Sequence, residues 1–156
     1  MAVILAQVYP DVFAAAGVHS GLARGAAKGV VSAMSVMCKG GGLAAPGSAG
    51  AANPWRWSVF QGDSDSTVHP SNAALIVTQA LGPTAMPGRT STRSLRERGY
   101  VRSDFAAEDG RVRLELWMLQ GGGHAWSGGR AAGSYTDSRG PDASAQMVRF
   151  FLTKSA

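Results

Sequence analysis

Short apolar runs alternating with clusters of turn formers set the pattern along the chain. Residues 1–9 are apolar and rich in good helix formers, and they stop at Pro10, which lacks an amide hydrogen and breaks a helix. The pattern therefore predicts that the chain opens inside a helix. "VFAAAGV", residues 12–18, is a run of small and β-branched residues ending at "HSG", which predicts a fully buried strand. From about Ala23 to Asn53 the composition shifts to Gly, Ala, Ser and Lys and ends in "KGGGLAAPGSAGAANP". That stretch predicts an irregular excursion or linker, with little regular structure after Cys38.

Strand character returns with "WRWSVFQG", residues 55–62, and is cut off by the turn-rich "DSDSTVHP". A helix is expected from Pro70, with Asn72, Leu75, Ile76 and Leu81 as its stripe. Residues 83–92 read as loop. "YVRSDFAAEDGRVRLELWML" pairs two alternating runs around "EDG", the signature of a β-hairpin whose turn uses Glu108 and Asp109. "GPDASAQMVRFFL" predicts a last helix that starts at Pro141 and Asp142, buries Ala143, Met147, Phe150 and Phe151, and carries Lys154 near its end. The alternation is that of an α/β fold with a mostly parallel sheet flanked by helices.

Composition narrows this. At 156 residues with 45% hydrophobic and 16% charged positions, the chain is a single domain's worth of globular sequence, made loop-rich by 21 glycines and seven prolines. The net charge of +5 would attract anionic surfaces in a general way. Arg89, Arg93, Arg96, Arg98 and Arg102 cluster, but without stacking aromatics or a nucleic-acid motif they read as a solvated face, and no specific nucleic-acid partner is expected. Cys38 is the sole cysteine, so no disulfide forms within the chain. The opening segment lacks a basic n-region and is far too short for a membrane span.

Two polar groupings fall just past the ends of predicted strands, where chemistry gathers in open α/β sheets. Asp63 and Asp65 follow "WSVFQG", and His124 follows "LELWML" within "QGGGHAWSGG". A histidine acting as a general base needs its other ring nitrogen held by a carboxylate, so an Asp and a His on neighbouring loops supply two thirds of a catalytic triad. Glycines 121–123 would allow the tight turn that presents the ring, and Trp126 would wall it from water. The competing reading makes Asp63 and Asp65 turn formers that cap the next helix. His19, His69 and His124 lack metal-ligand spacing, so no metal is expected.

"YPDVFAAAGVHSGL", "QGDSDSTVHPSNA" and "GGGHAWSGG" followed by "GSYTDSRGPDASAQMVRFFL" together resemble the C-terminal part of the PHB-depolymerase-type esterases. That α/β-hydrolase family also includes feruloyl and acetylxylan esterases. The resemblance implies that Asp65 of the G-D-x-D-x-x-V loop orients the catalytic histidine, with Asp63 as second candidate, and that His124 is the base. It implies an ester substrate, either a polyester or an acylated polysaccharide, no cofactor, and an extracellular setting for the parent enzymes. Trp126 and Trp57 are candidates for the acyl site.

The departure is that such enzymes carry their serine in a G-x-S-x-G elbow ahead of the aspartate and histidine, and these 156 residues contain no such motif. By the resemblance, Met1 falls just after the missing serine. The chain is therefore expected to be a partial domain, 1–156, without the front half of the sheet, the elbow and the oxyanion amides. Ser20 does not replace the elbow serine, since by the family pattern it lies on the strand after the elbow helix and lacks the flanking glycine turn. The alternatives are a catalytically inactive interaction module and a basic nucleic-acid-binding protein.

Overall fold

A computed structural model describes residues 1–41, 56–94 and 98–153, the side chains of Arg93 and Ser94 excepted. The opening helix is α1 (Ala2–Val8), and β1 (Ala15–His19) follows it. Then come α2 (Val30–Lys39), β2 (Arg56–Gly62), α3 (Ser71–Leu81), β3 (Arg89–Ser94), β4 (Gly99–Ala106) and β5 (Val112–Leu119). Two short strands, β6 (Trp126–Ser127) and β7 (Thr136–Asp137), precede α4 (Ala143–Leu152).

One sheet has the order β1-β2-β5-β4-β3. β1 pairs with β2 and β2 with β5 in parallel, whereas β5–β4 and β4–β3 are antiparallel. The sheet is thus mixed rather than mostly parallel: the hairpin around Asp109 reverses β4 and so makes half of the pairings antiparallel. In its turn Gly110 adopts φ 77 and Asp109 Oδ1 accepts the Arg111 amide at 2.9 Å.

β2, next to the centre, is buried along its whole length after Arg56, as expected of a strand covered on both faces. On one face Val3 and Ala6 of α1 and Ala73, Ile76 and Val77 of α3 pack on Ala16, Val18, Trp57, Val59 and Leu114. On the other, Ala143 and Met147 of α4 pack on Phe60, Trp117 and Leu119. Helix α4 starts where expected, with Asp142 Oδ1 accepting the Ala145 amide at 2.9 Å, and Phe150 is 1% exposed. α3 buries Asn72 and Ile76 as anticipated, but adds Ala73, Val77 and Gln79 in place of Leu75 and Leu81, which are only half-buried.

Two further expectations are corrected. The Gly/Ala-rich excursion contains a helix of 10 residues, α2, with Ser32 Oγ accepting the Gly29 amide at 3.0 Å at its start and Gly40 at φ 67 at its end. Its apolar residues are mostly exposed and only Val36 is buried, so no amphipathic stripe announced it. Of the stretch expected to be irregular after Cys38, residues 42–53 lie outside the described residues. Residues 89–94, read in part as loop, form the edge strand β3, whose Thr/Ser/Arg sequence has no apolar face to reveal it.

The arginines are not a uniformly solvated face. Arg98 is half-buried in an ion pair with Asp137, and Arg102 bonds Asp104 at 2.8 Å while lying over the Trp117 ring. Arg89 is exposed, and the Arg93 and Arg96 side chains lie outside the described residues.

Two glycines make close approaches of different kinds. A Cβ on Gly62 would lie 2.5 Å from the Gly122 carbonyl carbon and clash with its oxygen, both backbone atoms, whereas one on Gly17 would lie 2.5 Å from Met147 Sδ, the end of a flexible side chain. Gly62→Ala is expected to destabilise the fold by about 1–3 kcal/mol, and Gly17→Ala by distinctly less as Met147 swings aside. Urea unfolding of the two variants checks the order.

Candidate active site

β2 and β5 are parallel neighbours, so the loops that leave their C-terminal ends emerge side by side. The backbone stitches them together. Asp63 N donates to Leu119 O at 3.1 Å and Ser64 N to Gly122 O at 3.0 Å. Asp63 Oδ1 accepts the Gly121 amide at 2.7 Å. Gly121 takes φ 63, the left-handed conformation that the sequence reading anticipated for this turn.

This stitching brings Asp65 to His124. His124 Nδ1 lies 3.0 Å from Asp65 Oδ2, with the Asp65 side chain 0% exposed and that of His124 38% exposed. Oδ1 of Asp65 accepts the Thr67 and Val68 amides at 2.9 and 2.8 Å. Gln61 Nε2 reaches Oδ2 at 3.3 Å and also donates to Val68 O at 2.9 Å, which ties the loop back to β2.

Burial pushes the Asp65 carboxyl up, but the bonds from the Val68 amide, His124, Ser20 and the Thr67 amide together hold it below the usual carboxylate range. Asp65 is therefore an ionised acceptor, so His124 donates through Nδ1 in this bond. Its Nε2 is left without a partner among the described residues, which is the arrangement of a general base. Asp63 is exposed and does not reach the ring. Its carboxylate is spent on the Gly121 amide and on Ser64 Oγ at 2.9 Å, so it joins the two loops.

A pocket of about 250 Å³ opens beside His124, lined by His19, Ser20, Ala125, Trp126 and Tyr135. Trp126 stands at its rim, 40% exposed, with Nε1 donating to Ser144 Oγ at 3.2 Å, so it borders the site without sealing it from water. Trp57 does not line it: it is 3% exposed in the core between the sheet and α1/α3, several residues back along β2. The three histidines do not converge, since His69 is drawn to Ser71, and among the described residues no group of His, Cys, Asp and Glu is placed to hold a metal.

Sequence reasoning missed His19 and Ser20 as neighbours of the pair. His19 ends β1, and its ring stacks on Phe60 and on Trp126 at centroid distances of 5.8 and 5.0 Å. Ser20 has φ 49, in the left-handed region that a non-glycine residue rarely enters. The available signal was their position, one strand over from Asp65 at the same sheet edge.

Among known proteins, a family model described as Esterase PHB depolymerase matches residues 1–107. The match takes in the Asp65 loop and stops short of His124. A search of curated proteins finds no match.

Burial in the aromatic stack, and secondarily the facing charge of His124, lower the His19 pKa from 6.5 to about 4, with Asp65 partly opposing. Between these two pH values the unfolded chain binds a proton that the folded chain refuses. Stability therefore falls as pH drops from 6.5 toward 4, by on the order of 3 kcal/mol in all, and is unaffected by this ring above that window. The contribution of Asp65, present above pH 3.8, is lost only lower still, as pH passes through its depressed folded value. His19→Phe, which keeps a stacking ring, is expected to flatten the upper window in urea unfolding measured against pH.

Proposed function

The chain belongs to the esterase PHB depolymerase family, and on that premise we propose that it forms the base-bearing part of a serine ester hydrolase in which His124 is the general base and Asp65 orients it. The observation that carries this reading is the 3.0 Å bond between His124 Nδ1 and a fully buried Asp65 carboxylate whose other oxygen is held by backbone amides. His124 Nε2 takes the proton of a serine hydroxyl as that oxygen attacks the ester carbonyl. The imidazolium, steadied by Asp65, then gives the proton to the departing alkoxide. Water repeats the sequence on the acyl-serine and releases the acid.

The serine comes, in this reading, from a G-x-S-x-G segment outside these 156 residues, which contain none. Two features support a neighbour at that side. β1 has a strand partner on one side only among the described residues, and Ile4, Val8, Val12 and Phe13 are exposed on and after α1, which packs on β1. The five strands would then be the C-terminal part of an α/β-hydrolase sheet, with residues 1–156 a single partial domain. Polyester such as poly(3-hydroxybutyrate) is the substrate class the family favours, ahead of acyl or feruloyl esters on polysaccharide. Trp126 and Tyr135 offer an aromatic rim for the acyl chain.

Fluorophosphonate treatment of the 156-residue chain, read by peptide mass spectrometry, is expected to label no serine. Joined behind a G-x-S-x-G segment from a family member, the chain should label at the elbow serine and hydrolyse p-nitrophenyl butyrate. His124→Ala and Asp65→Asn should each lower kcat in that protein by about 10⁴-fold. Labelling of Ser20 in the unjoined chain, abolished by His124→Ala, would replace this reading with one in which the nucleophile lies in the chain itself.

A further inference from the structure

His124 lies between two glycine runs, 121–123 before it and 128–129 after it, so its loop holds the ring still only if both halves are fastened. The leading half is tied to the Asp65 loop, with the Gly121 amide on Asp63 Oδ1 and the Gly122 carbonyl accepting from Ser64 N. The trailing half bonds at two points to the segment that follows it: Trp126 N donates to Tyr135 O at 2.8 Å and Gly128 N to Asp137 O at 2.8 Å. Ser127, between them, donates its amide to His19 Nε2 at 3.0 Å instead. Of these three bonds, that one reaches the five-stranded sheet, at the end of β1.

His19 is held ready to accept. A peptide N–H can only donate, so Nε2 carries the lone pair. Burial lowers the His19 pKa to about 4, so near neutral pH the ring has a single proton, which sits on Nδ1. Nδ1 lies 3.2 Å from Ser20 Oγ, which accepts from it. Ser20 takes φ 49, and its amide donates to Phe60 O at 2.9 Å, so the backbone that carries this hydroxyl is fixed to β2. The ring plane is set as well: His19 stacks on Phe60, its register partner in β2, and on Trp126, the residue before Ser127. Ser127 is 1% exposed, so without His19 its amide would lose its partner where water hardly reaches.

From this geometry we propose that His19 is a positioning residue for His124: its ring, with Nδ1 protonated and Nε2 bare, clamps the trailing half of the base's loop to the end of β1 through the Ser127 amide. The proposal deepens the reading of His124 as general base and rests on it for its catalytic meaning. Two substitutions separate the clamp from packing. His19→Phe keeps the aromatic stack and loses the acceptor, whereas His19→Gln loses the stack and keeps an acceptor oxygen at the reach of Nε2.

NMR of the 156-residue chain near neutral pH reads both ends of the clamp. The unaltered chain should show a bare His19 Nε2, a nitrogen–nitrogen coupling across the hydrogen bond from Ser127 N to that atom, and a His124 Nδ1 proton protected from exchange by Asp65. The His124 proton should persist in His19→Gln and be lost to exchange in His19→Phe. A proton on His19 Nε2, or no coupling to Ser127, would overturn the proposal and leave the pair of Asp65 and His124 standing, and this is measured without any variant. Survival of the His124 proton in His19→Phe would also overturn it, as would its loss in both variants, which would assign the effect to the stack. Absence of the His124 proton from the unaltered chain would remove the pair itself, and the clamp's purpose with it. None of these signals needs ester turnover, so an inactive joined protein in which all of them persist would remove the esterase reading alone.

Discussion

The buried carboxylate of Asp65 is the constraint on which the rest of the site depends. An ionised carboxylate withdrawn from water costs several kcal/mol unless donors surround it. Here they arrive from both loops at this edge of the sheet: the Thr67 and Val68 amides from its own loop, Gln61 from β2, and His124 from the loop after β5. Two neighbouring parallel strands thus terminate on one charge. Such an edge is where α/β sheets place ligands, because the loops leaving parallel strands diverge and leave a crevice between them.

Bringing the donors level requires register, and register comes from packing. His19 pairs with Phe60, Phe60 with Trp117 and Trp117 with Arg102, a row across the sheet. His19 and Phe60 stack, as do Phe60 and Trp117, and Arg102 lies over the indole. A slip of one residue would turn this row to the opposite face and separate His19 from the Ser127 amide that it accepts. Helix α4 holds the row from one side through Met147 and Ala143, and Arg149 anchors the helix to Glu115 of β5 at 2.6 Å. The close backbone approach of Gly62 to Gly122 then lets the two loops share hydrogen bonds that a side chain at either position would interrupt.

Helix and strand positions with an apolar rhythm were legible in the sequence: α1 up to Pro10, β1, β2, α3, the β4–β5 hairpin and α4 all lie where the pattern put them, within a few residues. The elements that escaped, α2 and β3, bury little apolar surface, and the hydrophobic pattern is blind to such segments. The arginine cluster misled for a related reason. Spacing shows that charges are close in the chain, not that Asp137 or Asp104 will be folded against them.

At the site, the residue types and their placement after strands marked the Asp63/Asp65 loop and His124 as candidates, because glycine-rich turns past buried strands are visible in one dimension. Which aspartate reaches the ring was open from spacing alone. The family resemblance favoured Asp65, and the fold brings that residue to His124 while Asp63 is used by the Gly121 amide. His19 and Ser20 became neighbours of the pair only through the pairing of β1 with β2, and Trp57 left the site because strand direction carries it into the core. The sequence by itself determined which segments could be buried and which loops carried ionisable groups, since burial and turn geometry follow from local residue chemistry. Only the tertiary structure decided which groups meet, because hydrogen bonds between residues far apart in the chain depend on strand order and register, and local pattern encodes neither.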